Sequence, residues 1–483
     1  MKKILLLNPP SLKGEIFMKE IGRCGRKAVG GERWPQTGLA YLAAVAEQAG
    51  WDAALIDAMA EGTDYPSLEA RARDFAPDLI VANATTPTFK NDSQVLASLK
   101  KVTGAITGFT GTHVSALPEA SLKESDVDFV MINESEVTLG ELLTNMKNGG
   151  FALAGLSKIA GMAVRGENGT AFVTPPRTLV ENLDTFPNPA RHLLPNHAYR
   201  MPFFEDGPFA TVIPTRGCPW PCTFCRAGRV WGREIRTRTP EHVHAELKEL
   251  AERHRIRNVV FMTDSLTLNR QWARKFFHML IENGPRVSWL CNSRVDVVDK
   301  EMLRLMKEAG CKLISYGVES GNQEVLNGTK KQITLAQSER AIKNTREAGL
   351  LSMAYFILGL PGETPETINE TIAFAKKIDP DYVNFHVATP FPGTELYDMA
   401  LEKHWIASDN WDDFEEEGSA VMKTDDLSPE DLIQAQRRAM RAFYLRPRQI
   451  ARELGRLRSF AQFRAKLNAG VNILRTLTSA DKG

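Results

Sequence analysis

Long apolar runs are missing. No stretch approaches the ~18 residues that suggest a membrane-spanning helix. The apolar part of the N-terminus, residues 4–7, is too short for a signal peptide and reads as a buried first strand, so a cytoplasmic protein is expected. Cysteine is scarce: six residues among 483 do not build a disulfide scaffold. Neither sign of charge is in excess, with 60 basic and 59 acidic side chains, which is not the balance of a general nucleic-acid binder. No G-x-G-x-x-G follows the first strand, which weakens a pyridine-dinucleotide site. No repeat occurs at solenoid periods. What is present is an ordinary globular composition, 43% apolar and 25% charged, which excludes a mainly disordered chain. The length suits about three domains.

Two stretches alternate strand and helix signals. In residues 1–146, apolar runs at 4–7, 53–56, 79–82, 105–109 and 129–132 read as strands. Helical spacing occupies 39–49, 68–75, 93–102 and 138–146. Repeated βα units predict an α/β, Rossmann-like doubly wound sheet with ligands at the carboxyl ends of its strands. Residues 147–205 are rich in Gly, Pro and Asn and read as a connector with a small hairpin, at 159–164 and 171–173. Residues 206–400 resume the alternation, with strands at 211–214, 258–262, 287–291, 313–318, 351–358 and 382–388. Each strand delivers a polar or glycine-rich segment at its carboxyl end. The expected closure is a (β/α)6 partial TIM barrel whose reactive face carries those segments. Residues 401–483 are expected to be mostly helical.

Three of the six cysteines fall within eight residues: Cys218, Cys222 and Cys225, spaced C-x3-C-x2-C directly after the first barrel strand. Thiolates are soft ligands suited to zinc or iron–sulfur clusters. A closed zinc site or a typical iron–sulfur site takes four protein ligands. This loop offers three, and Cys24, Cys291 and Cys311 lie far away in sequence. Three thiolates on a [4Fe–4S] cluster leave one iron open to a substrate or cofactor. The alternatives are a zinc knuckle or three buried thiols.

The spacing, its place after the first barrel strand, and Phe224 just before the last cysteine resemble the radical S-adenosylmethionine (SAM) superfamily. The resemblance implies a [4Fe–4S] cluster on Cys218, Cys222 and Cys225, and SAM bound to the open iron by its amino and carboxylate groups. It also implies an electron donor such as flavodoxin or ferredoxin, and cleavage of SAM to a 5′-deoxyadenosyl radical. Phe261-Met-Thr-Asp264 resembles the segment that meets the SAM amino group. Glu319, in Gly317-Val-Glu-Ser-Gly321, resembles the acid that bonds the ribose. Arg294 suits the SAM carboxylate. Residues 355–359 resemble the strand flanking the adenine, and 389–394 the segment after the sixth strand. Each has a plainer reading: Asp264 as the cap of the helix at Arg270, Glu319 and Arg294 as surface ion-pair partners.

The first domain resembles the cobalamin-binding domain of B12-dependent radical SAM enzymes. The matching pieces are Asn8-Pro-Pro10, Trp34 to Ala44, Ala84-Thr-Thr-Pro-Thr-Phe89, Gly111 to Glu119 and Asn133-Glu-Ser-Glu136. Candidate corrin contacts are Thr85, Thr86, Thr88, Gly111, His113 and Glu134. The D-x-H-x-x-G motif is absent. The alternative is a domain that keeps the fold without binding cobalamin. The group includes methylases of unactivated carbon, the anaerobic magnesium-protoporphyrin monomethyl ester cyclase and hopanoid-modifying enzymes. The resemblance implies a C-methyltransferase that uses SAM as both radical source and methyl donor. The runner-up is radical cyclisation or rearrangement of a tetrapyrrole or hopanoid without net methylation. A third reading is a non-catalytic corrin or iron–sulfur sensor. The expected substrate is a small or lipid-like molecule, with no nucleic acid.

Charge is unevenly spread. Residues 437–475 carry a net charge of +10, leaving −9 on residues 1–436. Residues 439–477 mix Arg with apolar residues in a basic amphipathic pattern. This reads as a helical cap with its apolar side on the barrel and Arg in water, or as peripheral contact with a membrane.

Overall fold

The computed structural model describes residues 1–19, 26–28, 31–166, 168–204, 207–416 and 418–456. Cys24 and the tail beyond residue 456 lie outside these.

The first sheet has seven strands. In chain order they are β1 (Lys3–Asn8), β2 (Asp52–Asp57), β3 (Leu79–Asn83), β4 (Ile106–Thr110), β5 (Phe129–Met131), β6 (Met162–Arg165) and β7 (Ala171–Val173). In space the order is β2-β1-β3-β4-β5-β6-β7. The first five are parallel, as expected of βα units. Ile4 to Leu7 are fully buried because helices cover both faces. The order reverses at β1, which opens a crevice at the carboxyl ends of the strands. The hairpin expected in the connector is present as β6 and β7, and it extends this sheet in antiparallel sense beyond β5.

The second sheet is entirely parallel and runs in chain order: β8 (Phe209–Val212), β9 (Asn258–Phe261), β10 (Ser288–Ser293), β11 (Cys311–Glu319), β12 (Leu351–Leu358) and β13 (Tyr382–Val387). It is the six-stranded partial barrel, with β8 and β13 as its two edges. Alternate side chains of each strand face outward to the helices; Val383, Phe385 and Val387 pack with Leu432, Ala435 and Phe443 of the helix Pro429–Tyr444. The inward side chains include Val260, Leu290 and Leu313, and they join a different cluster. That cluster also holds Ile4 and Leu6 of β1, Leu39 and Leu42 of the helix Thr37–Gln48, and Phe186, Tyr199 and Phe204 from the connector. Sheet, connector and barrel floor thus share one apolar core. Phe203 meets Tyr382 of β13 and Phe204 meets Phe209 of β8, with ring centroids 5.1 and 5.9 Å apart.

The C-terminal region departs from expectation twice. Residues 403–428 are not helical beyond the single turn Trp411–Asp413. They are acidic and lack periodic apolar positions, and they lie as a strap along the β13 edge, where the Val387 N–H donates to the Glu416 carbonyl at 3.0 Å and Phe414, Val421 and Met422 are buried. The strap also reaches the first domain, where Lys13 pairs with Asp412 at 2.8 Å. The helical cap follows the expected polarity only as far as Tyr444, whose hydroxyl donates to the Val383 carbonyl at 2.7 Å. In the next helix, Pro447–Gly455, the polarity inverts. Arg446 and Arg452 turn inward onto Asp379, at 3.0 and 2.6 Å, and Arg456 onto Asp381. Leu445, Ile450 and Leu454 are left 53%, 45% and 54% exposed. Buried Asp379 and part-exposed Asp381, just before β13, outcompete apolar contact there. No helix among the described residues is long and apolar enough to cross a membrane.

Below the carboxyl end of β3, Lys19 and Asp92 form a fully buried ion pair at 2.7 Å. Burial pushes the Lys19 ammonium down and the Asp92 carboxyl up from their ordinary values, each opposed by its partner. Removing one partner strands the other charge. Asp92→Ala should therefore cost about 3–5 kcal/mol in urea unfolding, whereas Lys19→Met with Asp92→Leu should cost far less. Equal losses from the single and double variants would contradict this account.

Candidate active site

The cysteine loop is built by what flanks it. Past β8, Thr215–Arg216 pairs in antiparallel sense with Arg236–Thr237, so both ends of the loop are pinned. Gly217 has φ +98°, and a Cβ there would collide with the Glu234 carbonyl oxygen, so only glycine fits. The Cys218 N–H donates to the Gly232 carbonyl at 3.1 Å, and the Thr223 N–H to the Thr329 carbonyl at 3.0 Å. Cys218, Cys222 and Cys225 are partly exposed and outside any disulfide. Cys291 and Cys311 are buried in the barrel wall among outward-facing core residues, away from this loop. Among the described residues, no three His, Cys, Asp or Glu side chains gather as ligands of a single ion. A cubane takes its ligands at separate corners, and three thiols on one loop, with no fourth cysteine among the described residues beside them, suit it better than a mononuclear site.

Three strand ends surround this loop. Burial raises the Cys218 thiol above its ordinary value; neighbouring Asp264 raises it further, and Arg294 opposes. Burial also raises Cys222, against the pull of Lys331 and Arg294 and with Glu319 nearby. Asp264, Arg294 and Glu319, which follow or end β9, β10 and β11, are thus brought together around the cysteines.

Asp264 does not take its plainer reading, and Arg294 and Glu319 are ion-paired but buried, not at the surface. The helix Arg270–Asn283 is capped by Asn269, which accepts from the Trp272 N–H at 3.1 Å, and not by Asp264. Arg294 is buried; its fork meets both oxygens of Asp296 at 2.9 Å, it donates to the Lys331 carbonyl at 2.9 Å, and it lies 3.7 Å above the Trp220 ring. Glu319 is buried and ion-paired with Lys331. It sits at a register shift between Gly317 and Glu319 with φ +69°, a left-handed backbone rare for a side chain of this kind. Phe224 packs on the small apolar cluster around Ala388, Leu396 and Ala400, after β13. Sequence reasoning missed Trp220, Asp296 and Lys331. Trp220 lies inside the cysteine loop and was the one open to detection; Lys331 carries no motif.

The first sheet ends in a narrow crevice of about 40 Å³, lined by Asn83, Thr110, Gly111, Ser115 and Glu134, with Trp231 on the barrel side. Gly111 has φ +123°, and a Cβ there would strike the Ala84 carbonyl oxygen, so this strand end offers bare backbone. Bare backbone with a hydroxyl and amide rim is the lining that a corrin's amide side chains call for, and seating a corrin there requires the crevice to open. Of the expected contacts, Gly111 and Glu134 line the cavity, and Glu134 is already engaged by Arg236 at 2.6 and 3.0 Å. Thr85, Thr86, Thr88 and His113 do not. Their polar groups close the turn: Thr85 and Thr88 hydroxyls meet at 3.0 Å, Thr88 donates to Asp92 at 2.7 Å, and His113 Nδ1 lies 3.3 Å from the Thr86 hydroxyl. His113 stacks on Phe89, centroids 4.4 Å apart.

Comparison with known proteins follows this geometry. Residues 212–375 match the Radical SAM superfamily and residues 25–143 the B12 binding domain. The "Uncharacterized methyltransferase PH0819" of Pyrococcus horikoshii is 33% identical over 455 residues, 94% of each chain. The anaerobic magnesium-protoporphyrin IX monomethyl ester cyclase of Rubrivivax gelatinosus is 28% identical over 85% of this chain and 74% of its own. The structure of the radical SAM methyltransferase TsrM from Kitasatospora setae, with cobalamin and a [4Fe–4S] cluster bound, gives a TM-score of 0.72 at 16% identity over 100% of both chains. At that identity the likeness is one of fold.

Burial, with a smaller contribution from Arg226, pushes the His113 imidazole down to about 3. The native chain then stays neutral at this residue while the unfolded chain takes up a proton below its ordinary value. The stability is complete above pH 6.5 and is lost as pH falls toward 3, at about 1.4 kcal/mol per pH unit. Between pH 7 and 5 the wild type should lose about 2 kcal/mol more than His113→Leu in urea unfolding. Parallel pH profiles would refute the assignment.

Proposed function

The chain belongs to the radical SAM enzymes that carry a B12-binding domain, and from that premise we propose a methyltransferase acting on an unactivated carbon of a small molecule. The observation that carries this reading is the convergence of a three-thiol loop, Asp264, Arg294 and Glu319 at one end of the barrel, beside strand ends of the first sheet whose bare backbone and polar rim suit a corrin. When bound, the [4Fe–4S] cluster supplies the electron that cleaves SAM to a 5′-deoxyadenosyl radical, and cobalamin carries the methyl group. Cys218, Cys222 and Cys225 hold the cluster. Arg294 offers its guanidinium to the SAM carboxylate, with Trp220 keeping its plane fixed. Asp264 accepts from the SAM amino group and Glu319 from the ribose hydroxyls. In the structure described here Arg294 and Glu319 are satisfied by Asp296 and Lys331, so SAM exchanges one set of charged hydrogen bonds for another. The apolar barrel floor, Val260, Met262, Leu290 and Leu313, excludes water from below. A flavodoxin or ferredoxin in the cytoplasm would supply the electron.

The same residues serve radical cyclisation without net methylation, the alternative suggested by the Rubrivivax gelatinosus relative. Products separate the two. Anaerobically reconstituted protein given SAM, reductant and substrate should accumulate both S-adenosylhomocysteine and 5′-deoxyadenosine; 5′-deoxyadenosine alone sinks methyl transfer. Cys222→Ala should abolish 5′-deoxyadenosine formation. Glu319→Gln should weaken SAM binding by about 10- to 100-fold, the cost of one charge-assisted hydrogen bond.

Exposed Leu445, Ile450 and Leu454 support peripheral membrane contact and access to a lipid-like substrate. Full-length protein should float with anionic liposomes, and the triple Ser variant should not. Equal flotation of both removes the membrane reading.

A further inference from the structure

We propose that Arg216 and Arg226 are positioning residues that tie both ends of the cysteine loop to the strand ends of the first sheet, so that a corrin opening and filling the crevice there orders the loop. Arg216 lies two residues before Cys218 and is buried. Its Nη2 meets Glu136 Oε1 at 2.5 Å and its Nη1 lies 3.4 Å from Glu134 Oε1. The guanidinium is sandwiched by aromatic rings, 4.6 Å from the centroid of Trp231 and 4.9 Å from that of Phe186. Arg226 directly follows Cys225, is also buried, and donates through Nη1 to the Thr112 carbonyl.

The acceptors decide the meaning of this bracket. Thr112, Glu134 and Glu136 follow β4 and β5, and all three line the crevice at those strand ends. The residues that receive the loop's two arginines are therefore the walls of the other cofactor's cradle. A guanidinium buried between aromatic rings cannot exchange its carboxylate for water without leaving both charges stranded. Motion of the strand ends and motion of the loop are then one motion. Ordering the cradle removes freedom from the loop before any iron arrives, which is coupling through conformational entropy. This inference rests on the corrin reading of the cavity, and its test separates the two.

The experiment is hydrogen exchange of full-length protein lacking the cluster, with and without hydroxocobalamin. In the wild type, hydroxocobalamin should slow exchange in peptides 110–116 and 133–136 and, by tenfold or more, in the loop 215–226. In Arg216→Gln it should still protect 110–116 while protection of 215–226 is lost. Glu136→Gln leaves the guanidinium stacked on Trp231 and provides the same test should Arg216→Gln fail to fold. Arg216→Lys keeps the charge but not the planar fork and should restore less than half of the protection. A loop indifferent to hydroxocobalamin in the wild type, or equally protected in Arg216→Gln and Glu136→Gln, overturns the coupling while leaving the cradle intact. No protection of 110–116 and 133–136 overturns the corrin reading, and the coupling falls with it.

Discussion

The arrangement depends on one apolar core that belongs to neither domain alone. Leu6 of β1, Leu39 of the following helix, Phe186 of the connector and Leu290 inside the barrel pack in a single cluster. Burial of that surface is non-directional, so on its own it would let the two sheets slide. It fixes distance. Because the connector is part of the cluster rather than a tether beside it, the carboxyl ends of two sheets are held facing one cleft.

Direction comes from buried charge. Glu246, fully enclosed, receives both Arg191 and Arg238, and Glu134 and Glu136 receive Arg236 and Arg216. Buried ion pairs contribute little net stability against a well-packed apolar alternative, but each is costly to mispair. Placed along a greasy seam, they select one register out of many that the core would tolerate. The division of labour is clear: apolar contact supplies cohesion, and four carboxylate–guanidinium contacts supply alignment.

Much of this was legible in the sequence because strands buried on both faces announce themselves as apolar runs. β12 spans the expected residues, and a helix begins at Arg270 as expected. The cysteine loop was legible because its chemistry is local. The tail was not. Periodicity showed that the Pro447–Gly455 helix has an apolar side and a basic side, but which side turns inward is decided by Asp379 and Asp381, some seventy residues away. The threonines of 85–88 bond within their own turn for a related reason. A hydroxyl at a strand end is as able to close its own turn as to face a ligand, and the buried Lys19–Asp92 pair, invisible to any local pattern, drew Thr88 inward. Lys331 was missed because its partner Glu319 reaches it only through the bulge in β11.

The two consecutive phenylalanines beneath the barrel carry a consequence of their own. Phe203 leans on the first residue of one edge strand and Phe204 on the first residue of the other. Aromatic faces have no ladder to satisfy and no fixed spacing. The two edges are therefore joined at their amino ends by packing alone, and a change of size at either ring would be felt there while leaving every strand pairing as it is.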